Sequence, residues 1–293
     1  MKVMVTGANG FLGQHLVRAL SAWGYAVIAA GRGTSRTAGP VRWQGVDLTD
    51  RDEVVRCMEA TTPDVIVHTA AMSKPDECQA DPNACLRHNV GATRFLLEAA
   101  ATSSRFIHIS TDFIFGDDGP FAENDAPGPV NFYGESKLMA ETIVQQTPGA
   151  WTIVRPVFIY GATWPGIRPG FIQWVKTSLA QGKEISVVND QLRTPTYVSD
   201  LCKGIHSIIE REAGGIYHLA GKDTVTPYEL AVCVAEELSL DASLVRPVDS
   251  GSFPEPVRRP KYSALKIDKA GRELGYDPVD VREGIRQSFE QSS

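Results

Sequence analysis

The stretch Lys2-Val3-Met4-Val5-Thr6-Gly7-Ala8-Asn9-Gly10-Phe11-Leu12-Gly13-Gln14-His15-Leu16 decides the fold. Five residues of mostly apolar strand run into three glycines at a spacing of three. Leu12, Leu16, Leu20 and Trp23 then recur at helical intervals. A strand, a glycine turn and a helix in this order suit a backbone that must approach an anion closely. Gly7 permits the tight turn, Gly10 lets the chain approach a pyrophosphate, and Gly13 lets the helix pack on its strand. The helix N-terminus then supplies free N–H groups and the positive end of its dipole.

Working outward, apolar runs alternate with helical segments. Strands are predicted over 2–6, 25–30, 64–69, 105–110 and 151–156, with helices over 83–101 and 132–146. Leu86, Val90, Leu97 and Ala100 are the expected inward residues of the first of these helices. Near-continuous apolar strands joined through helices predict a parallel sheet covered on both faces. After residue 157 prolines and glycines cluster over 160–170, and the periodicity loosens. Helices near 171–181, 198–211, 227–238 (capped by Thr226) and 281–291 follow, with a strand at 216–219 and a Pro/Arg-rich segment at 254–261. The fold class is therefore α/β: a doubly wound parallel sheet (Rossmann fold) with a smaller C-terminal substrate lobe. Residues 1–156 form the dinucleotide-binding core, and 157–293 form mainly the lobe, with elements returning to the core.

Composition narrows the functions. A chain of 293 residues, 43% hydrophobic and 22% charged, has length enough for one sizeable core. A formal charge of −6 argues against nucleic acid or anionic lipid as partners. The five cysteines are odd in number and show no C-x-x-C, which argues for small buried thiols in a reducing compartment rather than disulfides or zinc. No histidine spacing suits a metal; His68 and His108, within apolar strands, read as satisfied core residues. No apolar run reaches the ~20 residues that span a bilayer, and the N-terminus lacks the long apolar core of a signal peptide. A cytoplasmic protein is expected.

The end of the second strand bears on the cofactor. An NAD site usually places a carboxylate there for the ribose hydroxyl, whereas this chain has Ala29-Ala30-Gly31-Arg32, with Arg36 soon after. Arg32 suits a 2′-phosphate, so NADP(H) is favoured over NAD(H); a solvated loop arginine is the alternative. Asp47, at the end of a further strand, either touches the adenine side or caps a helix over 49–57.

Tyr133 and Lys137 stand at i and i+4 on one helix face. An ammonium beside a phenol lowers its pKa and makes it a better proton donor. The preceding strand ends in Ser110-Thr111-Asp112, which sets a hydroxyl at the carboxyl edge of the sheet, where ligands bind in open α/β folds.

TGANGFLG, DVIVHTAA, HNVGAT, STDFIFGD, YGESK and RPVFIYG, in that order, resemble the extended short-chain dehydrogenases, and within them the dTDP-4-dehydrorhamnose reductase group. The later RTPTYVSDL and RRPKYSALKIDKAGRELGY fit the same group, so the likeness spans residues 1 to about 275. The resemblance implies a catalytic Thr111, Tyr133 and Lys137. It implies cofactor contacts from Gly7, Gly10, Phe11, Leu12, Gly13, Asp47, Leu48, Ala70, Ala71 and Lys137, with Asn89 near the site. It also implies a nucleotide-sugar substrate near Ser73, Asp112, Phe113, Arg193 and Arg259, with Arg258 at the rim. Phe113 stands where the group usually has tyrosine, and Ser73-Lys74-Pro75 departs from its common small-residue pattern; both put the sugar in question. A homodimer stays open. Two rivals share the scaffold. A dehydratase or epimerase would keep its cofactor bound and cycle the hydride within one turnover; a dehydratase also needs an acid–base pair after the threonine, of which Asp112-Phe113 supplies half. A non-catalytic regulatory subunit, like that of methionine adenosyltransferase, would not need an intact Thr–Tyr–Lys set. Asp200 reads as capping or orienting a helix, and Trp164 as covering substrate or as a protected loop residue.

Overall fold

The computed structural model describes residues 1–37, 39, 41–164, 166–252 and 257–290. Its strands are β1 (Lys2–Thr6), β2 (Ala26–Gly31), β3 (Arg42–Gly45), β4 (Val65–His68), β5 (Arg105–Ile109), β6 (Trp151–Arg155), β7 (Ile185–Val188), β8 (Gly215–His218) and β9 (Val245–Val248). The helices are α1 (Phe11–Ala22), α2 (Arg51–Thr61), α3 (Pro75–Ala80), α4 (Pro82–Leu86), α5 (Ala92–Ala99), α6 (Phe132–Gln146), α7 (Phe171–Ala180), α8 (Val198–Glu210), α9 (Pro227–Glu237), α10 (Asp268–Leu274) and α11 (Val281–Glu290).

Seven parallel strands make the main sheet in the order β3-β2-β1-β4-β5-β6-β8. Alternate residues of β1 serve opposite layers, as the two-residue period of a strand requires. Val3 and Val5 pack with Leu16 and Leu20 of α1 and Ile205 and Ile208 of α8, whereas Met4 packs with Val54 of α2 and Leu96 of α5. A sheet covered on both faces accounts for the unbroken apolar reading of its strands. The chain winds outward from β1 to β3 and then crosses back to β4. That reversal opens a crevice at the carboxyl ends of β1 and β4.

The C-terminal part returns β8 to the main sheet, as the sequence predicts. It also builds what the sequence did not reveal: a two-stranded parallel sheet of β7 and β9 under α7, α9 and α11. Both strands have four residues, and β9 carries Pro247, so neither shows the run that marks a strand. Thr226 caps α9 reciprocally with Glu229. Residues 254–256 and 291 of the predicted segments lie outside the described residues.

The helix predicted over 83–101 is one column in three pieces: α4, a π turn at Arg87–Gly91, and α5. Its buried residues are Cys85, Asn89, Ala92, Thr93 and Leu96, not the expected Leu86, Val90, Leu97 and Ala100, which are half-buried. The inward face is partly polar because its groups are hydrogen-bonded, and the half-buried Leu97 and Ala100 flank it against the same core.

One buried ion pair fastens α6 to the sheet. Arg155, ending β6, donates from Nε to Glu141 Oε1 at 3.0 Å and from Nη2 to Oε2 at 2.7 Å. Both side chains are almost wholly enclosed. Removing one member of such a pair strands the other charge, so Glu141→Ala is expected to cost about 3–5 kcal/mol in chemical denaturation. A loss under about 1 kcal/mol, typical of an exposed pair, would contradict this.

Candidate active site

A cleft of about 1070 Å³ runs along the carboxyl edge of the main sheet, from the glycine turn past β5 to α7 and Arg259. At its inner end α1 begins at Gly10 with no side-chain cap, so its first-turn amides face the cleft as uncapped donors. A Cβ on Gly13 would stand 2.2 Å from the Gly7 carbonyl oxygen, so glycine alone lets α1 sit this close to the turn. Gly7, Gly10, Phe11, Leu12, Ala70 and Ala71, expected from the sequence as cofactor contacts, line the cleft.

Asn9 is a residue that sequence reasoning passed over. Its side-chain amide donates to the carbonyls of Arg32 and Thr34, and its Oδ1 accepts from Arg36 N at 2.8 Å. The turn thereby holds the loop after β2, and Arg32 and Arg36 border the cleft. Leu48 lines the same end. Asp47 also lines it, but it does not cap α2. Its Oδ1 accepts from Thr49 N at 2.9 Å, while Asp50 accepts from Asp52 and Glu53 and is the true cap. The bond from the Thr49 backbone, with Arg32 and His88 near, holds the Asp47 carboxyl below its usual range.

The middle of the cleft brings Thr111, Tyr133 and Lys137 together. A Cβ on Gly134 would lie 2.1 Å from the Phe113 carbonyl oxygen; only glycine allows α6 to lie on the segment after β5. Asn131 caps α6 by accepting from Gly134 N at 3.0 Å and donates to the Arg258 carbonyl at 2.9 Å. Ser136 and Asn89 complete the seating. Asn89 donates to Ser136 Oγ at 2.9 Å and bonds both backbone groups of Met72, tying the β4–α3 loop to α6. Asn89 thus has a framework position behind the site.

The electrostatics of the pair differ from the sequence expectation. Burial pushes the Tyr133 phenol above its ordinary range; a hydrogen bond with Thr111 opposes the shift, and Asp112 adds to it. The net displacement is upward, not downward, because desolvation outweighs the Thr111 hydrogen bond and the neighbouring acidic groups push the same way. Lys137 points beneath the sheet edge, donating to Ile109 O at 2.7 Å and to His108 Nε2 at 3.1 Å. Burial brings its ammonium down to about 8, against the opposing pull of Glu141.

His68 is the satisfied core residue that the sequence implied, bonded by Thr6 and Thr93. His108 is not: its Nδ1, like Ser110 Oγ at the cleft, is enclosed without a partner among the described residues. An unpaired hydroxyl at the cleft wall, uncapped amides and a turn that admits no side chain all fit a dinucleotide with polar edges.

Asp112 is buried, accepting from Ser263 Oγ at 2.5 Å and from Thr111 Oγ1 at 3.1 Å. Burial raises its carboxyl above the usual value, and Arg193 draws it back. Arg193 lies in the cleft floor at 5% exposure, bonded to Ser263 and Gln191 and 5.9 Å from the Phe113 ring centre. Phe113 meets Tyr133 edge-on with centroids 5.6 Å apart. Ser73 is exposed on the opposite wall, and Arg259 lines the outer cleft in an ion pair with Asp76. Arg168, exposed there too, carries no sequence mark beyond its charge. Arg258 pairs with Asp117 and is not among the lining residues. Trp164 does not cover the substrate region: it packs on α1, donating to Gln14 Oε1 at 3.1 Å beneath Arg18. Asp200 orients the chain before α11 by accepting from Val279 N at 2.9 Å.

A doubly wound sheet with a glycine turn at its crevice, and a buried Thr–Tyr–Lys set on the adjoining wall, define an extended short-chain dehydrogenase/reductase. The chain belongs to the family described as RmlD substrate binding domain, whose model matches residues 1–293. It is similar to a spore coat polysaccharide biosynthesis protein of Bacillus subtilis, at 32% identity over 100% of this chain and 98% of the relative. It is also 30% identical to the methionine adenosyltransferase 2 subunit beta of Mus musculus, over 98% of this chain and 87% of that one. Among solved structures it resembles a dTDP-4-dehydrorhamnose reductase from Bacillus anthracis in complex with NADP. That likeness has a TM-score of 0.87 and 27% identity over 99% of each chain.

Proposed function

We propose that this chain is an NAD(P)H-dependent reductase acting on the carbonyl of a nucleotide-linked 4-ketosugar. The observation that carries this reading is the single continuous cleft. It joins the uncapped start of α1, the Thr111–Tyr133–Lys137 wall and an outer cationic end at Arg168 and Arg259. Its volume, about 1070 Å³ and so just above the usual ~300–1,000 Å³ of ligand sites, suits two ligands side by side. The similarity to a dTDP-4-dehydrorhamnose reductase with NADP supports the same pairing.

A bound reduced nicotinamide supplies the hydride that goes to the carbonyl carbon. Tyr133 holds the proton that goes to the carbonyl oxygen, and its raised pKa keeps the phenol protonated for that step. Thr111, whose hydroxyl donates to Asp112 in this structure, turns that proton to the same oxygen when substrate is bound. Lys137 fixes the ribose side and remains an ammonium below a pH of about 8. Gly7, Gly10, Phe11, Leu12, Gly13, Asp47, Leu48, Ala70 and Ala71 form the dinucleotide seat. Ser73, Asp112, Phe113, Arg193 and Arg259 form the substrate side, with Arg193 acting through Phe113 and Asp112 from the floor. A dehydratase is less well supported, because the Asp112 carboxylate is already engaged and a phenyl ring follows it. A purely regulatory role is less well supported too, since the Thr–Tyr–Lys set is complete. Phe113 offers no hydroxyl to the sugar, so turnover of dTDP-4-dehydrorhamnose is expected to be weak beside a related ketosugar.

Steady-state NADPH oxidation across nucleotide 4-ketosugars and free ketones tests the reading. Tyr133→Phe should leave NADPH affinity within about twofold and lower turnover about 10²–10⁴-fold. Lys137→Met should damage both. Near-wild-type turnover by Tyr133→Phe on the best substrate would refute the mechanism.

NADPH should bind more tightly than NADH, because β2 ends without a carboxylate and Arg32 borders the cleft. Arg32→Ala should narrow that gap in fluorescence titrations. NADH binding as tight as NADPH in the wild type would sink this preference.

A further inference from the structure

We propose that His108 is a positioning residue for the reaction, holding the Lys137 ammonium from beneath the cleft through its Nε2. This rests on the reductase reading for its consequence, although its test does not depend on turnover.

The geometry assigns the roles. An ammonium has donors only, so in the 3.1 Å contact Lys137 donates and His108 Nε2 accepts. The ring proton must then sit on Nδ1. Burial, with Lys137 and His68 adjacent, holds His108 far below the usual imidazole range, so the ring is neutral and can accept. Together with Ile109 O, His108 engages two of the three ammonium protons and leaves one for the cleft.

The unpaired Nδ1 separates this from a packing role. His108 is fully enclosed, with His68 at 5.5 Å between ring centres. A phenyl ring would fill nearly the same space without a stranded N–H. Among the described residues, the one polar contact that His108 makes is the one to Lys137.

The charges around the lysine are few. On α6 stand Tyr133 and Glu141, which is paired with Arg155 of β6 and still favours the charged lysine. From α4 comes Cys85, which bonds Ser136 and also favours the charged lysine. From β4 comes His68, which burial draws down to about 3, so it is neutral. An acceptor bonded to the ammonium favours the charged form. Without it, Lys137 loses its proton at lower pH, and its remaining donors lose their fixed direction.

The test is NMR of the apo protein labelled with [ε-¹³C]lysine, which follows the Lys137 titration directly. His108→Phe should lower the midpoint by about one pH unit. His108→Gln, whose carbonyl oxygen reaches a similar position, should restore it to within about 0.3 unit. His108→Asn, too short to reach, should behave like His108→Phe and carries the test if the phenylalanine variant does not fold. The alkaline limb of kcat/KM should move with the midpoint. A wild-type midpoint in folded His108→Phe or His108→Asn overturns the proposal. Failure of every ketosugar to turn over would remove the reductase reading and leave the titration result standing.

Discussion

The contact between α6 and the segment after β5 carries the site. Gly134 lets the helix backbone approach Phe113 so closely that no side chain fits between them. That approach places Tyr133 against Thr111 and sets Lys137 one turn further, over the carboxyl end of β5. Everything nearby holds the contact in register. Asn131 caps the helix, Ser136 and Asn89 bind it to the β4–α3 loop, and Glu141 grips Arg155 at the end of β6. A catalytic constellation works within tolerances of about 0.5 Å, which loops alone seldom keep. Here each member rides on a helix or a strand end buried on both sides.

The same burial sets the chemistry. Removal from water raises the phenol and lowers the ammonium, so the neutral, proton-bearing tyrosine and the charged lysine coexist below a pH of about 8. That combination serves a reductase, which must deliver a proton to oxygen. A buried lysine in this state needs acceptors, and the sheet supplies them from Ile109 and His108. On the substrate side the polar groups of the cleft wall are bonded to one another. Asp112, Ser263, Gln191 and Arg193 bond one another under Phe113 and present an aromatic face where a phenol could have bonded a hydroxyl.

The main sheet was legible because buried parallel strands write themselves as apolar runs and the glycine turn admits few alternatives. The Thr–Tyr–Lys set was legible because i,i+4 on a helix after a strand fixes its place. The small β7–β9 sheet was hidden by four-residue strands and a proline. The inward face around Asn89 was hidden because hydrogen bonding, not apolarity, pays for its burial. No local pattern could show that Gly134 is required, that Asn9 clasps the loop of Arg32, or that Trp164 packs on α1. These depend on backbone approaches between segments far apart in sequence. The direction of the Tyr133 shift was missed for a related reason: sequence shows the lysine four residues on, but not how deeply both groups are buried.

The most direct test of the account follows the hydride itself. NADPH carrying deuterium at the transferable C4 position would be supplied to the protein with a nucleotide-linked 4-ketosugar, and the sugar product analysed by mass spectrometry and NMR. The account predicts one deuterium at the former carbonyl carbon, with an equivalent amount of cofactor oxidised. Product formed without label from the added cofactor would contradict it and indicate a hydride cycled within a retained dinucleotide.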